Sequence, residues 1–260
     1  MEIFSLKGKV AIITGGGSGI GEQISRVFGE AGADVRILEF RPAEGEKVAQ
    51  AIREAGGVAT CHQVDVSQQV QLIECCKQIM TETGKIDILV NNAGIAHIGK
   101  LHTTSEEDFD RIYAVNIKGV YNAMFAVIPY MMAQKSGVII NMGSIASMLG
   151  LPDRFAYSSS KGAVEVMTYS VARDYLAYNI RCNSIAPARV HTPFVDNFLA
   201  QNYPGKEKEM YEQLSKTQPI GRMAQPIEIA HLARYLCSEE ASFITGTNFP
   251  IDGGFVRLNT

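Results

Sequence analysis

Several features are scarce in this chain of 260 residues, and each scarcity removes a class of function. Charge of one sign is missing. Twenty-four Lys and Arg against 27 Asp and Glu give a net charge of −3, with a pI of about 6.0. No broad basic surface is therefore expected, and neither nucleic acid nor anionic lipid is expected as a partner. No apolar run approaches the ~20 residues that cross a bilayer, so no membrane partner is expected either. The five cysteines (Cys61, Cys75, Cys76, Cys182, Cys237) form neither a CxxC pair nor a zinc-type spacing. Their odd number, with no signal-like segment after Met1, reads as reduced thiols in the cytoplasm. The five histidines do not cluster, which argues against a metal site. His97 follows a candidate ligand loop and could face a substrate, but a polar loop residue is the simpler reading.

What is present has a regular order. "KVAIIT" (9–14), "DVRILEF" (34–40), "GVATCHQV" (57–64), "IDILVN" (86–91), "GVIINM" (137–142) and "IRCNSI" (180–185) read as strands. Their near-continuous apolar character suits strands covered on both faces. Helical spacing is read at 43–55, 68–83, 106–134, 155–177 and 226–237, and between the first two strands at Ile20, Ile24, Val27, Phe28 and Ala31. This alternation predicts an α/β fold, a doubly wound parallel sheet with helices on both faces. There is no internal repeat and no linker-like stretch, so residues 1–260 are expected to form one domain with a sizeable core. The irregular part follows Pro187. Residues 188–225 are broken by prolines around the polar piece "GKEKEMYEQLSK" and are expected to form a substrate lid or loop. Arg36, inside an apolar strand, has no evident role in the pattern.

"VAIITGGGSGIGEQI" places a glycine-rich turn between the first strand and the first helix. Glycines allow positive φ and close backbone approach, and the helix start beyond them favours an anion. Pyrophosphate is the natural occupant, although a tight structural turn would also use glycine. Strict G-x-G-x-x-G is absent, and Glu22 after Gly21 excludes the Gly-Lys-Ser/Thr of a nucleotide triphosphatase. The actual pattern is Thr14-Gly15-x-x-x-Gly19-Ile20-Gly21. Glu39 closes the second strand twenty residues after Gly19, where a carboxylate can accept hydrogen bonds from a ribose diol. It would also repel a 2′-phosphate, so NAD is expected over NADP, with Arg41 a partial offset. The alternative is that Glu39 simply caps a strand end.

Tyr157 and Lys161 stand four residues apart in "RFAYSSSKGAV" and share a helix face. A free phenol titrates near ~10, too high for a base at neutral pH, and a cation within ~4–6 Å lowers it. Such pairs arise by chance. Here, however, "NMGSIAS" sets Ser144 at the end of the fifth strand, where an open α/β sheet carries its ligand crevice. A serine there can hydrogen-bond a substrate oxygen while the tyrosine exchanges the proton. "NNAG" (91–94) ends the fourth strand. Asn116, a poor helix former inside a helical pattern, calls for a packing or functional reason.

The order TGGGSGIG, NNAG, Asn116, Ser144, Tyr157-x-x-x-Lys161, "APARVHTP" and "IDGG" resembles the short-chain dehydrogenase/reductase family from about Lys7 to Gly254. The resemblance implies a Rossmann fold and an oxidoreductase with Tyr157 as acid/base and Ser144 polarising the substrate. Lys161 would lower the tyrosine pKa and bind the nicotinamide ribose, and Asn116 would hold a water linking Lys161 to solvent. Gly15, Ser18, Gly19, Ile20 and Gly21 would line the pyrophosphate, with Glu39 on the adenosine ribose and Asp65 and Val66 beside the adenine. Asn91, Ala93 and Gly94 would form the next cofactor wall, and Pro187, Val190 and Thr192 would fix the carboxamide. Ala188 stands where the family usually has glycine, and only a local adjustment is expected. Members are commonly homotetramers.

Arg154, three residues before Tyr157, offers a planar fork for a carboxylate, or is a surface arginine at a helix start. Its surroundings, with "QPIGRMAQPIEIA", are similar to the branch oxidising sugar-derived 2-keto-3-deoxy acids such as 2-keto-3-deoxy-L-fuconate. A branch of cytosolic 3-hydroxybutyrate dehydrogenases shares the arginine. Arg189 and Arg222 could add charge to the same pocket. The expected function is NAD-linked oxidation of a secondary hydroxyl on a small carboxylate-bearing substrate. The rivals are a 3-oxoacyl-carrier-protein reductase using NADPH, a sugar or polyol dehydrogenase, and a non-catalytic dinucleotide sensor.

Overall fold

A computed structural model describes residues 3–258. Seven strands form one parallel sheet in the order β3-β2-β1-β4-β5-β6-β7. They are β1 (Val10–Thr14), β2 (Asp34–Glu39), β3 (Val58–Gln63), β4 (Ile88–Asn91), β5 (Gly137–Met142), β6 (Ile180–Pro187) and β7 (Asn248–Ile251). Ten helices connect and extend them: α1 (Gly19–Glu30), α2 (Pro42–Glu54), α3 (Gln69–Thr83), α4 (Glu106–Ile112), α5 (Gly119–Gln134), α6 (Phe155–Asp174), α7 (Pro193–Asn202), α8 (Glu207–Lys216), α9 (Pro226–Cys237) and α10 (Phe255–Leu258). The chain runs outward from β1 to β3, then crosses back to β4 on the other side of β1. That reversal leaves a crevice at the carboxyl ends of β1 and β4.

Side-chain alternation divides the core between the two faces of the sheet. Ile13, Ile37, Val90 and Ile140 pack with Ile24 and Phe28 of α1 and Ile229 and Leu236 of α9. Their neighbours Ile12, Leu38, Leu89 and Ile139 point the other way, onto Leu72 and Ile79 of α3, Val127 and Met131 of α5 and Val164 of α6. Each such fully buried Ile or Leu contributes about 1.5–3 kcal/mol relative to exposure, so both helix layers are held firmly on the strands. Register aligns the strand ends: Thr14 pairs with Asn91, and Asn91 with Asn141.

Departures from the sequence reading are local. The single helix expected over 106–134 is interrupted by a π-helical turn, Tyr113–Lys118, centred on Asn116. β7 is an additional edge strand; its "NFPI" contains a proline, which an edge tolerates and which hides it from pattern. Residues 188–225 carry α7 besides the expected polar helix α8. Arg36 gains an account. Its guanidinium, buried on the α3 face, pairs with Asp34 at 2.8 Å and with Glu82 of α3, so it fastens β2 to that helix. Four cysteines are buried and none is bonded; burial pushes Cys75, Cys76 and Cys237 up to about 12. Among the described residues no helix is long and apolar enough to cross a membrane, and no cluster of three or more His, Cys, Asp or Glu is placed to hold a metal.

Candidate active site

The glycine turn is shaped by close backbone approach. Gly15 and Gly19 have φ of +63° and +55°, the region glycine adopts without steric cost. A Cβ on Gly15 would lie 2.9 Å from the Cα of Ala93, and one on Gly21 would overlap the Gly15 carbonyl and the Asn92 amide. One on Gly17 would come within 2.8 Å of Gly45 N and 2.9 Å of the Glu39 carboxylate. Ser18, the N-cap residue of α1, makes no capping bond with its side chain, so the N–H groups of the first turn are left for a ligand. Thr192, at the start of α7, lies against Gly19, 3.4 Å from where a Cβ would stand. A pyrophosphate therefore fits the turn formed by Gly15, Ser18, Gly19, Ile20 and Gly21.

Glu39 stands next to the glycine turn, where the sequence reading expects the adenosine ribose. Its carboxylate is 7% exposed and accepts from Gly17 N at 3.0 Å and Arg41 N at 3.4 Å. The Arg41 guanidinium turns to Glu44 at 3.0 Å, so the side chain that could welcome a 2′-phosphate is already paired. Asp65 folds over its own turn, accepting from Ser67 N at 2.9 Å. The Val66 side chain packs near Gly119, and its carbonyl accepts from Asn122 at 2.9 Å, which fixes this segment to α5.

The side chain of Asn91 turns away from the crevice. It is 2% exposed, lies in the core and donates to Asn141 Oδ1 at 2.8 Å; Asn141 in turn donates to Thr168 of α6 at 2.9 Å. Register causes this, because Asn91 falls on the same face as Leu89. The neighbouring Asn92, which the sequence reading missed, has the reach instead. Its amide donates to Gly15 O at 3.0 Å and Thr14 O at 3.3 Å. The Thr14 hydroxyl accepts from both Asn92 N and Ala93 N at 3.1 Å, locking NNAG to the glycine turn. The available signal was the polar residue adjoining each motif.

Gly94 joins the two ends of the crevice. A Cβ there would sit 3.3 Å from Asn116 Oδ1 and 3.7 Å from Lys161 Nζ, so its bare backbone lets both side chains approach. Asn116 is 1% exposed and clamps Ile95, accepting from its N and donating to its O, both at 2.9 Å. It also donates to Ser160 at 3.0 Å, whose hydroxyl donates to the Tyr157 carbonyl at 2.7 Å. An asparagine amide competing for backbone groups fits the wide helical turn around it. Asn116 thus ties the loop after β4 to the helix that carries Tyr157.

Tyr157 and Lys161 lie in the first turns of α6. The Lys161 ammonium, 6% exposed, donates to Met142 O at 2.7 Å and stands over the Tyr157 ring, 5.8 Å from its centroid. Burial pushes that lysine down to about 8. Burial raises Tyr157 above 10, and the groups pulling it down are the Ser144 hydrogen bond and the Arg154 charge. Ser144 accepts from Ala146 N at 3.1 Å, which orients its hydroxyl at the phenol.

Arg154 is held by an uncommon backbone. Asp153 before it has φ +56°, and Gly99 bridges to Arg154, donating to Asp153 O at 3.0 Å and accepting from Phe155 N at 3.1 Å. His97 in the same loop lies beside Gly99, 3.6 Å from Asp108. Pro187, the last residue of β6, and Val190 beyond it are buried, and Val190 bridges to Ala224. Ala188 donates to Ile251 O at 3.2 Å and has no positive φ, so alanine fits there without strain.

A proton-exchanging phenol beside a dinucleotide cradle is what an alcohol–carbonyl oxidoreductase requires, and similarity to known proteins agrees. Residues 15–256 match the family model described as enoyl-(acyl carrier protein) reductase. The oxidoreductase UcpA of Escherichia coli K12 is 38% identical over 96% of this chain and 95% of its own. The 3-oxoacyl-[acyl-carrier-protein] reductase FabG of Thermotoga maritima is 35% identical over 96% of this chain and 99% of its own. A crystal structure of the Brucella melitensis 3-ketoacyl-(acyl-carrier-protein) reductase complexed with NADH superposes with TM-score 0.88 at 34% identity, covering 97% of this chain and all (100%) of that one. The chain belongs to the short-chain dehydrogenase/reductase family. These likenesses reach the family and not the branch acting on 2-keto-3-deoxy sugar acids.

Proposed function

We propose that the protein is an NAD-dependent oxidoreductase acting between the secondary hydroxyl and ketone of a small carboxylate-bearing substrate, a hydroxy acid or a sugar-derived keto acid. The observation that carries this reading is the placement of Lys161 over the Tyr157 ring, 5.8 Å from its centroid, with Ser144 just past the end of β5 and Arg154 at the start of the same helix. A bound nicotinamide dinucleotide supplies or accepts the hydride. In the reducing direction Tyr157, kept protonated by burial, gives its proton to the carbonyl oxygen while Ser144 hydrogen-bonds that oxygen. In oxidation the same phenol oxygen takes the hydroxyl proton. Lys161 and Asn116 hold the helix and loop that present it. Arg154 anchors the substrate carboxylate, which turns the reacting carbon toward Tyr157.

The preference for NAD rests on Glu39, whose carboxylate accepts from Gly17 where a 2′-phosphate would otherwise be received, and on Arg41 being paired with Glu44. A second reading, reduction of a 3-oxoacyl thioester, is favoured by the likeness to the Thermotoga maritima and Brucella melitensis reductases. Because the latter was crystallised with NADH, cofactor choice does not separate the two readings; the substrate does. We read the protein as a cytoplasmic homotetramer, its subunit contacts made by the exposed Tyr121 and Phe125 of α5 and Val166 and Tyr169 of α6.

The test is the initial rate at 340 nm with NAD and NADP across 3-hydroxybutyrate, sugar acids, neutral polyols and acetoacetyl-coenzyme A. Acids with NAD are expected to lead, and Tyr157→Phe is expected to lose about 10²–10⁴-fold in kcat while binding NAD as before. Faster turnover of the thioester or the polyols would overturn the substrate class. Near-normal turnover by Tyr157→Phe would overturn the site.

A further inference from the structure

Glycine inside a helix costs stability relative to alanine, so a buried one calls for a reason. Gly162 in α6 has nothing within 4 Å of where a Cβ would stand, so space does not demand it there. Gly45 in the first turns of α2 is the opposite case. It is buried, and its φ is not positive, so any residue could take its backbone. What excludes a side chain is crowding. A Cβ on Gly45 would lie 2.5 Å from Cys61 Sγ of β3, 3.0 Å from Glu39 Cβ of β2 and 3.3 Å from Ile37 Cγ2.

Register accounts for that crowding. Ile37 pairs with Cys61 and Glu39 with Gln63, so Ile37, Glu39 and Cys61 share the sheet face that α2 covers. Cys61 Sγ reaches the Pro42 carbonyl at 3.8 Å, which places the thiol against the first turn of α2. The same helix start meets the glycine turn from the other side. A Cβ on Gly17 would come 2.8 Å from Gly45 N and 3.0 Å from the Glu44 carbonyl carbon. Glu39 is therefore gripped at both ends. Its carboxylate accepts from Gly17 N at 3.0 Å, and its stem lies against the bare Cα of Gly45. Packing this close leaves a displaced stem little room.

We propose that Gly45 is a positioning residue for cofactor choice: its missing side chain lets α2 press close enough to hold the Glu39 carboxylate beside the glycine turn. This rests on the NAD reading above and adds to it the residue that aims the carboxylate. A ribose diol needs that carboxylate within hydrogen-bond reach. A methyl on Gly45 has the Cys61 thiol behind it and the Glu39 stem in front, so it pushes the stem and moves the carboxylate. NAD then loses its ribose hydrogen bonds, whereas NADP, refused by the same carboxylate, has no such bonds to lose. Discrimination between the two falls although no charge has been changed.

The experiment titrates NADH and NADPH calorimetrically into the full chain and compares the ratio of their Kd values. The proteins are wild type, Glu39→Ala, Gly45→Ala, Cys61→Ala, and Gly45→Ala combined with Cys61→Ala. Wild type is expected to favour NADH, and Glu39→Ala to lose that preference. Gly45→Ala is expected to weaken NADH on the order of 10-fold with NADPH changed less, which moves the ratio toward that of Glu39→Ala. Measured against Cys61→Ala, the combined variant should lose less, because its tightest contact is gone while the 3.0 Å contact with Glu39 stays. Melting curves separate aim from folding: a glycine with only a structural role lowers Tm and leaves the ratio alone. Should Gly45→Ala not fold, the combined variant against Cys61→Ala takes its place. If the ratio is unchanged in the Gly45 variant that folds while Glu39→Ala abolishes it, Gly45 does not aim the carboxylate and the NAD reading survives. If wild type binds NADPH as tightly as NADH, both fall.

Discussion

The two sides of the crevice are built on opposite plans. Around the glycine turn side chains from other parts of the fold and from the next helical turn hold the backbone. Asn92 holds the turn, Thr14 holds NNAG, Glu39 holds Gly17, and Ser25 donates to Gly21 O at 2.9 Å. On the other side, residues 188–225 are joined at their base by Ala224 N to Arg189 O at 2.9 Å, His191 N to Ala224 O at 2.8 Å and Ile220 N to Gly253 O at 3.1 Å. Beyond that seam, α7 and α8 are tied back through Arg189 to Thr217 and through His191 to Asp196 and Tyr211. A preorganised wall suits a ligand of fixed shape, whereas a lid with few ties can be re-cut for different substrates.

Glycine substitutions give the largest expected contrast. Gly21→Ala drives a methyl into the Gly15 carbonyl and the Asn92 amide, and should cost about 1–3 kcal/mol of stability and most of the NAD affinity. Gly205→Ala in the lid, at φ +80° with nothing within 4 Å, should cost only about 1 kcal/mol and leave NAD binding untouched. Denaturant melts and NAD titrations of the two proteins check this; equal losses of NAD affinity would erase the distinction between the walls.

Lys161 sharpens the comparison through pH. Its folded pKa of about 8 lies below the ordinary 10.5, so its charge opposes folding below pH 8 and the penalty disappears as pH rises from 8 to 10.5. Lys161→Met should therefore be more stable than wild type at neutral pH, by about 3 kcal/mol at most, with the gap closing toward pH 10.5 and activity lost throughout. Thermal melts across that range measure it. A variant less stable at neutral pH would show that the bond to Met142 outweighs desolvation.

The smallest effect belongs to the lid clasp. His191→Ala removes an exposed pair and one ring contact, so global stability should fall by less than about 1 kcal/mol, with KM rising and kcat nearly constant. Steady-state kinetics on the best acid substrate decide it; a fall in kcat with unchanged KM would move His191 from positioning the lid to the chemistry.

Much of this arrangement was legible in the sequence because periodicity and glycine chemistry are local. The six strands, the glycine turn, Ser144, Tyr157 and Lys161 all lie at positions where short-range pattern and long-range fold agree. What escaped depends on partners far along the chain. The inward turn of Asn91 needs Asn141, fifty residues on, and the purpose of Arg36 needs Glu82. α7 starts at a proline in a stretch already marked as irregular, so its onset looked like a break.

The wide turn at Tyr113–Lys118 acts as a phase shifter in the long helical stretch. Normal winding advances about 100° per residue, so one surplus residue lets α4 and α5 aim their stripes in unrelated directions. α4 sets Phe109 against Phe155 at 6.3 Å, while α5 turns Val127 and Met131 to the sheet. Removing any single residue from this turn would restore smooth winding and break the alignment of two helices at once, although no side chain in the crevice had been altered.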